Sequence, residues 1–166
     1  MAGFNWEVLQ PEIVGVKLTG SLDGWASPKD VILKLLGILT VKGGTNRIIE
    51  YFGPGTESIS TTGKATITNM GAETGATSSI FPSGDVTKTF LRMQGRETVW
   101  RELSPDEGAV YDETLEIDLS TLKPLVAMPG MPDNVYDIAE VVGTKLDQVF
   151  IGSCTNGSYE DIKVAA

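Results

Sequence analysis

The most constraining feature of this chain is a strand, a capped helix and a second strand in direct succession. Residues 12–18 (EIVGVKL) alternate as a strand does and stop at Thr19-Gly20. Ser27-Pro28-Lys29-Asp30 then opens a helix: Ser27 suits the N-cap, Pro28 the first turn, and Asp30 the acidic position of a capping box. In residues 31–41 (VILKLLGILTV), Val31, Leu35, Ile38 and Leu39 fall at helical spacing. Lys42-Gly43-Gly44 closes the helix with a cation and a glycine cap, and residues 46–52 (NRIIEYF) form the second strand.

The alternation continues. After Gly53-Pro54-Gly55, residues 58–74 read as a buried helix capped near Ser60 or Thr61 and ended by Gly75; its small residues permit close packing. Residues 76–81 read as a strand. A helix over 86–94 follows, capped by Asp85 and ended by Gly95. Residues 96–112 are charged and irregular, and 113–119 (ETLEIDL) read as a strand with one wet face. Pro124, Pro129, Gly130, Met131 and Pro132 mark a linker. Beyond it, residues 147–151 (DQVFI) read as a strand running into G-S-C-T-N-G, and a helix starts near Ser158. The expected fold is α/β: a layered α/β/α arrangement with a mostly parallel sheet. The expected domains are an α/β unit over 1–124 and, over 125–166, the opening strand, loop and partial helix of a second unit.

Composition removes several functions. The 166 residues hold 13 Lys and Arg against 22 Asp and Glu, a net charge of −9 with no basic run, which disfavours nucleic acid and anionic membranes as partners. There is no His and one Cys, so neither a Ser-His or Cys-His pair nor an internal disulfide can be built from this chain. The first residues lack the basic start and apolar core of a signal peptide, and the apolar run 31–41 is too short to span a bilayer.

The loop around Cys154 is the strongest local motif. After a parallel strand, backbone N–H groups and a helix N-terminus face the crevice where α/β proteins bind ligands. Three roles for Cys154 stay open on local chemistry: a nucleophile whose base comes from another chain, a metal or iron–sulfur ligand, or a buried structural thiol. A cluster needs at least three Cys, and one is present. Asn69 and Glu73, at i and i+4, would share a partly buried helix face bordered by Ala65, Ile67, Met70 and Ala72; the competing reading is a surface or capping carboxylate. Gly43-Gly44 and Gly53-Pro54-Gly55 lack phosphate-loop spacing and read as turns. Trp6, Trp25 and Trp100 are too scattered for base stacking and read as core or interface side chains.

Four blocks carry a family resemblance: G-W-A-S-P-K-D-V-I-L (24–33), L-T-V-K-G-G-T (39–45), A-T-I-T-N-M-G-A-E-T-G-A-T (65–77) and I-G-S-C-T-N-G-S-Y-E-D (151–161). In this order they resemble the aconitate hydratase family of the aconitase and isopropylmalate isomerase superfamily, from about Val14 to the end. The resemblance implies a hydro-lyase that interconverts citrate and isocitrate through cis-aconitate. It also implies a 4Fe-4S cluster held by three Cys, whose open iron is a Lewis acid toward the substrate hydroxyl.

By position, the resemblance makes Cys154 the first cluster ligand, Asn69 the residue beside the cluster, and Glu73 the acid of the catalytic hydrogen-bond network. The family's other two Cys, in a C-x-x-C, and its substrate-binding Arg and Ser base lie downstream. Its His residues lie upstream. The chain therefore resembles the second domain and the start of the third, is expected to be inactive alone, and would work with the remaining domains of the same enzyme. The implied substrate is a small tricarboxylic acid. The implied location is the cytoplasm, or the mitochondrial matrix in a eukaryote. The alternatives are a homoaconitate or isopropylmalate dehydratase large chain and, from another class, a cluster-free binding module.

Overall fold

A computed structural model describes residues 3, 7 and 9–166. Four strands form one sheet: β1 (Glu12–Thr19), β2 (Arg47–Phe52), β3 (Ser78–Ile80) and β4 (Glu113–Asp118), in the order β3-β2-β1-β4 and parallel throughout. This is the α/β class with a mostly parallel sheet expected from the alternation. β1 is central. Val14, Val16 and Leu18 are fully buried on one face, joined there by Ile49 and Tyr51 of β2 and Ile117 of β4. Each such aliphatic side chain removed from water is worth about 1.5–3 kcal/mol. On the opposite face Gly15 leaves room for the ring of Tyr111, which a Cβ would meet at 2.6 Å; Tyr111 stacks in turn on Phe52.

Helix α1 (Pro28–Leu39) lies over the buried face. Its capping box forms as expected: the Ser27 amide donates to Asp30 Oδ2 at 2.6 Å. Two details differ from the sequence reading. Ile38 is exposed, and the core side is carried by Val31, Ile32, Leu35, Leu36 and Leu39. The helix ends one turn earlier, at Thr40, whose φ of 63° takes the left-handed position expected of a glycine. Helix α2 (Thr61–Gly71) starts at Ser60, whose Oγ accepts from the Gly63 amide at 3.1 Å, and runs on as a 3-10 turn (Ala72–Thr74) to left-handed Gly75. Helix α3 (Asp85–Met93) has Gly84 rather than Asp85 at its N-cap; Asp85 sits in the first turn, where its charge still favours the helix.

The proline-rich stretch is not extended chain. It forms an antiparallel hairpin, β5 (Leu125–Ala127) with β6 (Val135–Asp137), that lies along α1. Asp30 Oδ1 accepts the Leu125 amide at 2.6 Å, and Asp133 Oδ2 accepts the Val41 amide at 3.0 Å, so both ends of α1 hold the hairpin. Residues 147–151 are not a strand. No described strand lies beside them, and Val149 and Phe150 are exposed; without a neighbour to supply ladder hydrogen bonds, an apolar run cannot become a strand. The last helix, α4 (Tyr159–Ala165), begins at Ser158 as expected. Trp6 lies outside the described residues. Trp25 is 84% exposed and so is not a core side chain, while Trp100 carries the Lys88 ammonium 4.8 Å above its ring. Among the described residues no helix is long and apolar enough to cross a membrane.

Candidate functional site

The candidate site is built where α2 meets the Cys154 loop. α2 follows the carboxyl end of β2 and turns Thr62, Thr66 and Asn69 toward the loop, a spacing of four and three residues that keeps them on one helical face. Thr66 is buried, and its hydroxyl donates to the carbonyl of Thr155 at 2.8 Å. One turn along, Asn69 Oδ1 accepts the Thr155 hydroxyl at 3.2 Å, from a residue 86 positions away in sequence. At the start of α2, the Ser60 and Thr62 hydroxyls both donate to Glu160 Oε2 on α4. A ladder of hydroxyl contacts thus fastens the loop and α4 to one side of α2.

The loop has its own frame. Ser153 adopts φ 68°, a left-handed conformation that costs a non-glycine residue of order 1 kcal/mol and persists only where the surroundings hold it. Asn156 Nδ2 donates to Asp161 Oδ1 at 3.1 Å, and the Ser158 amide and hydroxyl donate to Asp161 Oδ2 at 2.9 and 2.7 Å. Burial alone would raise the Asp161 pKa. The hydrogen bonds from Ser158 and Asn156, with the charge of Lys29, outweigh it and hold the carboxyl below its ordinary range.

Beside this frame lies a cleft of about 810 Å³ between the N-termini of α1 and α2 and the last segment, lined among others by Trp25, Pro28, Thr62, Phe150, Asn156 and Val164. Its lining includes residues from the first turns of α1 and α2, the helices that follow β1 and β2 in the chain.

The structure brings together Asn69 and the loop of Cys154. Cys154 is exposed in this chain. Asn69 and Glu73 are both exposed, against the expected partial burial: α2 buries Lys64, Thr66, Ile67 and Gly71 instead, while Ala65 and Ala72 face outward. Glu73 also falls in the 3-10 turn after α2, where three residues per turn shift it off the α-helical register of Asn69. Among the described residues no hydrogen bond or ion pair joins Glu73 to the loop. Thr62, Thr66, Thr155 and Glu160 were missed by the sequence reading. The 62-66-69 spacing was the available signal, but it does not name the partner.

Four parallel strands with α1 and α2 packed beside them, and the Cys154 loop held on α2, define a parallel α/β domain. The chain belongs to the aconitase family: the family model described as aconitase family (aconitate hydratase) matches residues 1–145. It is similar to the mitochondrial aconitate hydratase of Candida albicans, 48% identical over 182 residues, and to that of Aspergillus fumigatus, 50% identical over 181 residues. A probable mitochondrial aconitate hydratase of Caenorhabditis elegans is also 50% identical over 181 residues. Each alignment covers 100% of this chain and 23% of the relative, so the chain spans about a quarter of the length of these relatives.

Proposed function

We propose that this chain is part of a hydro-lyase that interconverts citrate and isocitrate through cis-aconitate, with Cys154 as one ligand of a 4Fe-4S cluster. Asn69 lies beside that cluster and, with Glu73, belongs to the catalytic hydrogen-bond network. The donor chemistry fits one corner of the cluster. Cys154 is a soft, exposed thiol with a carboxamide oxygen fixed one residue from it, and it is the single Cys of the chain. Among the described residues no group of three or more His, Cys, Asp or Glu side chains could hold a metal. The other cluster ligands therefore belong to the remaining domains of the same enzyme, as do the catalytic base and the substrate's cationic partners, and the 166 residues alone are inactive.

When bound, the cluster supplies a Lewis-acidic iron for the substrate hydroxyl. This chain's part is positional: α2 holds Asn69 against Thr155, the residue that follows Cys154. The contact between Asn69 and Thr155 is the observation that carries the reading, because it joins two of the family blocks across 86 positions. The substrate is a small tricarboxylic acid, and the net charge of −9 speaks against nucleic acid and anionic membranes. The division into 1–124 and 125–166 belongs to the same reading. The mitochondrial names of the relatives support the matrix in a eukaryote; in a bacterium the place is the cytoplasm.

The test is Cys154→Ser in the full-length protein. Iron content and visible absorbance should be lost on anaerobic reconstitution. A variant that retains both would remove Cys154 from the ligand set.

A further inference from the structure

We propose that Thr66 is a positioning residue for Cys154: its buried hydroxyl, bonded to the carbonyl of the next residue, Thr155, sets where the thiol stands relative to Asn69. The consequence for the cluster rests on the reading of Cys154 as its ligand. The anchoring itself does not.

Thr155 is held from both directions by one helix face. Its carbonyl accepts from Thr66 at 2.8 Å, and its hydroxyl donates to Asn69 at 3.2 Å. One bond fixes the backbone and the other fixes the side chain, so residue 155 can neither rotate nor slide along α2 without losing one of them. Cys154 is the residue between this anchor and left-handed Ser153. A loop that contains such a residue opens unless outside contacts hold it. The backbone bond of Thr66 is the more buried of the two, since Thr66 is 7% exposed whereas Asn69 is exposed. Its loss would leave a partly buried carbonyl without its donor.

The experiment uses the full-length protein with three substitutions. Thr66→Val keeps shape and removes the donor; Thr66→Ser restores it; Thr155→Val removes the second bond from the loop side. Hydrogen exchange is followed by mass spectrometry, over the peptide spanning 152–158, in the cluster-free protein. Iron release to a chelator is followed in the loaded protein.

In Thr66→Val, exchange over 152–158 should be about fivefold faster, with β1 and β2 amides unchanged. Iron release should accelerate in step, both effects should revert in Thr66→Ser, and Thr155→Val should move both in the same direction. Unchanged loop exchange in both Val variants overturns the anchoring, whether or not Cys154 holds iron. Faster exchange throughout the sheet overturns it in favour of general loosening. Faster loop exchange with unchanged iron release overturns the positioning role. If Cys154→Ser keeps its iron, the ligand reading fails by itself, and the exchange result still stands.

Discussion

Replacing Asp30 with Asn exchanges one oxygen for an amino group and should loosen two elements at once. Asp30 is 5% exposed, and its carboxylate accepts three donors: the Ser27 amide at 2.6 Å, the Ser27 hydroxyl at 2.8 Å and the Leu125 amide at 2.6 Å. The first two close the start of α1, and the third pins β5. An asparagine offers one oxygen. If it faces Ser27, its amino group meets the Leu125 N–H, donor against donor; the reverse orientation opens the cap. A hydrogen bond to a charged group is worth about 1.5–3 kcal/mol, and a buried donor left unpaired adds to that, so a loss of about 3 kcal/mol is expected. With a urea slope of about 2 kcal/mol per molar, the unfolding midpoint falls by about 1.5 M. Exchange of the Leu125 amide should rise more than that of the β1 amides. A loss below about 1 kcal/mol, with Leu125 still protected, would refute the bridging role of this carboxylate.

Gly44→Ala should cost about 2 kcal/mol in thermal or urea unfolding, because its Cβ would stand 2.8 Å from the Ala76 nitrogen and 2.9 Å from the Thr74 carbonyl oxygen, neither of which can yield. Desolvation lowers the pKa of buried Lys64 below its ordinary value, and the charge of Glu57 opposes this only in part. The folded state therefore binds this proton more weakly than the unfolded state, and stability rises with pH in the alkaline window below 10.5. Lys64→Met should flatten that rise and add about 1 kcal/mol at neutral pH; an unaltered pH profile in the variant would contradict the desolvation argument. Glu73→Gln in the full-length enzyme should leave iron content intact and lower kcat by about a hundredfold or more. A kcat equal to that of the parent would make Glu73 a surface carboxylate.

Much of the architecture was legible because it is written in local rules. Ser27 and Asp30, Ser60 and Gly63, and Ser158 and Asp161 are caps whose partners lie three residues apart, within reach of the chain's own geometry. The alternation in β1 separates Val14, Val16 and Leu18 from Gly15 and Lys17 by period alone. The family blocks also named Asn69, Glu73 and Cys154 as candidates.

Errors arose wherever the deciding partner was remote. Residues 147–151 have strand composition and no strand to pair with. The proline-rich stretch has linker composition, yet α1 presents Asp30 near one end and the Val41 amide at the other, and the hairpin settles between them.

By itself, then, the sequence determined the order of strands and helices as far as β4, where most helices begin, the apolar face of β1, and the family to which the chain belongs. These follow from backbone periodicity, side-chain caps and motif identity, all of which act over a few residues. Only the tertiary structure decided that β1 lies between β2 and β4, that Glu73 drops out of the helical register of Asn69, and that Thr66 and Asn69 close on Thr155. Such contacts become favourable only once the chain has met loop-closure entropy over tens of residues, and no local pattern records which pairing will return it.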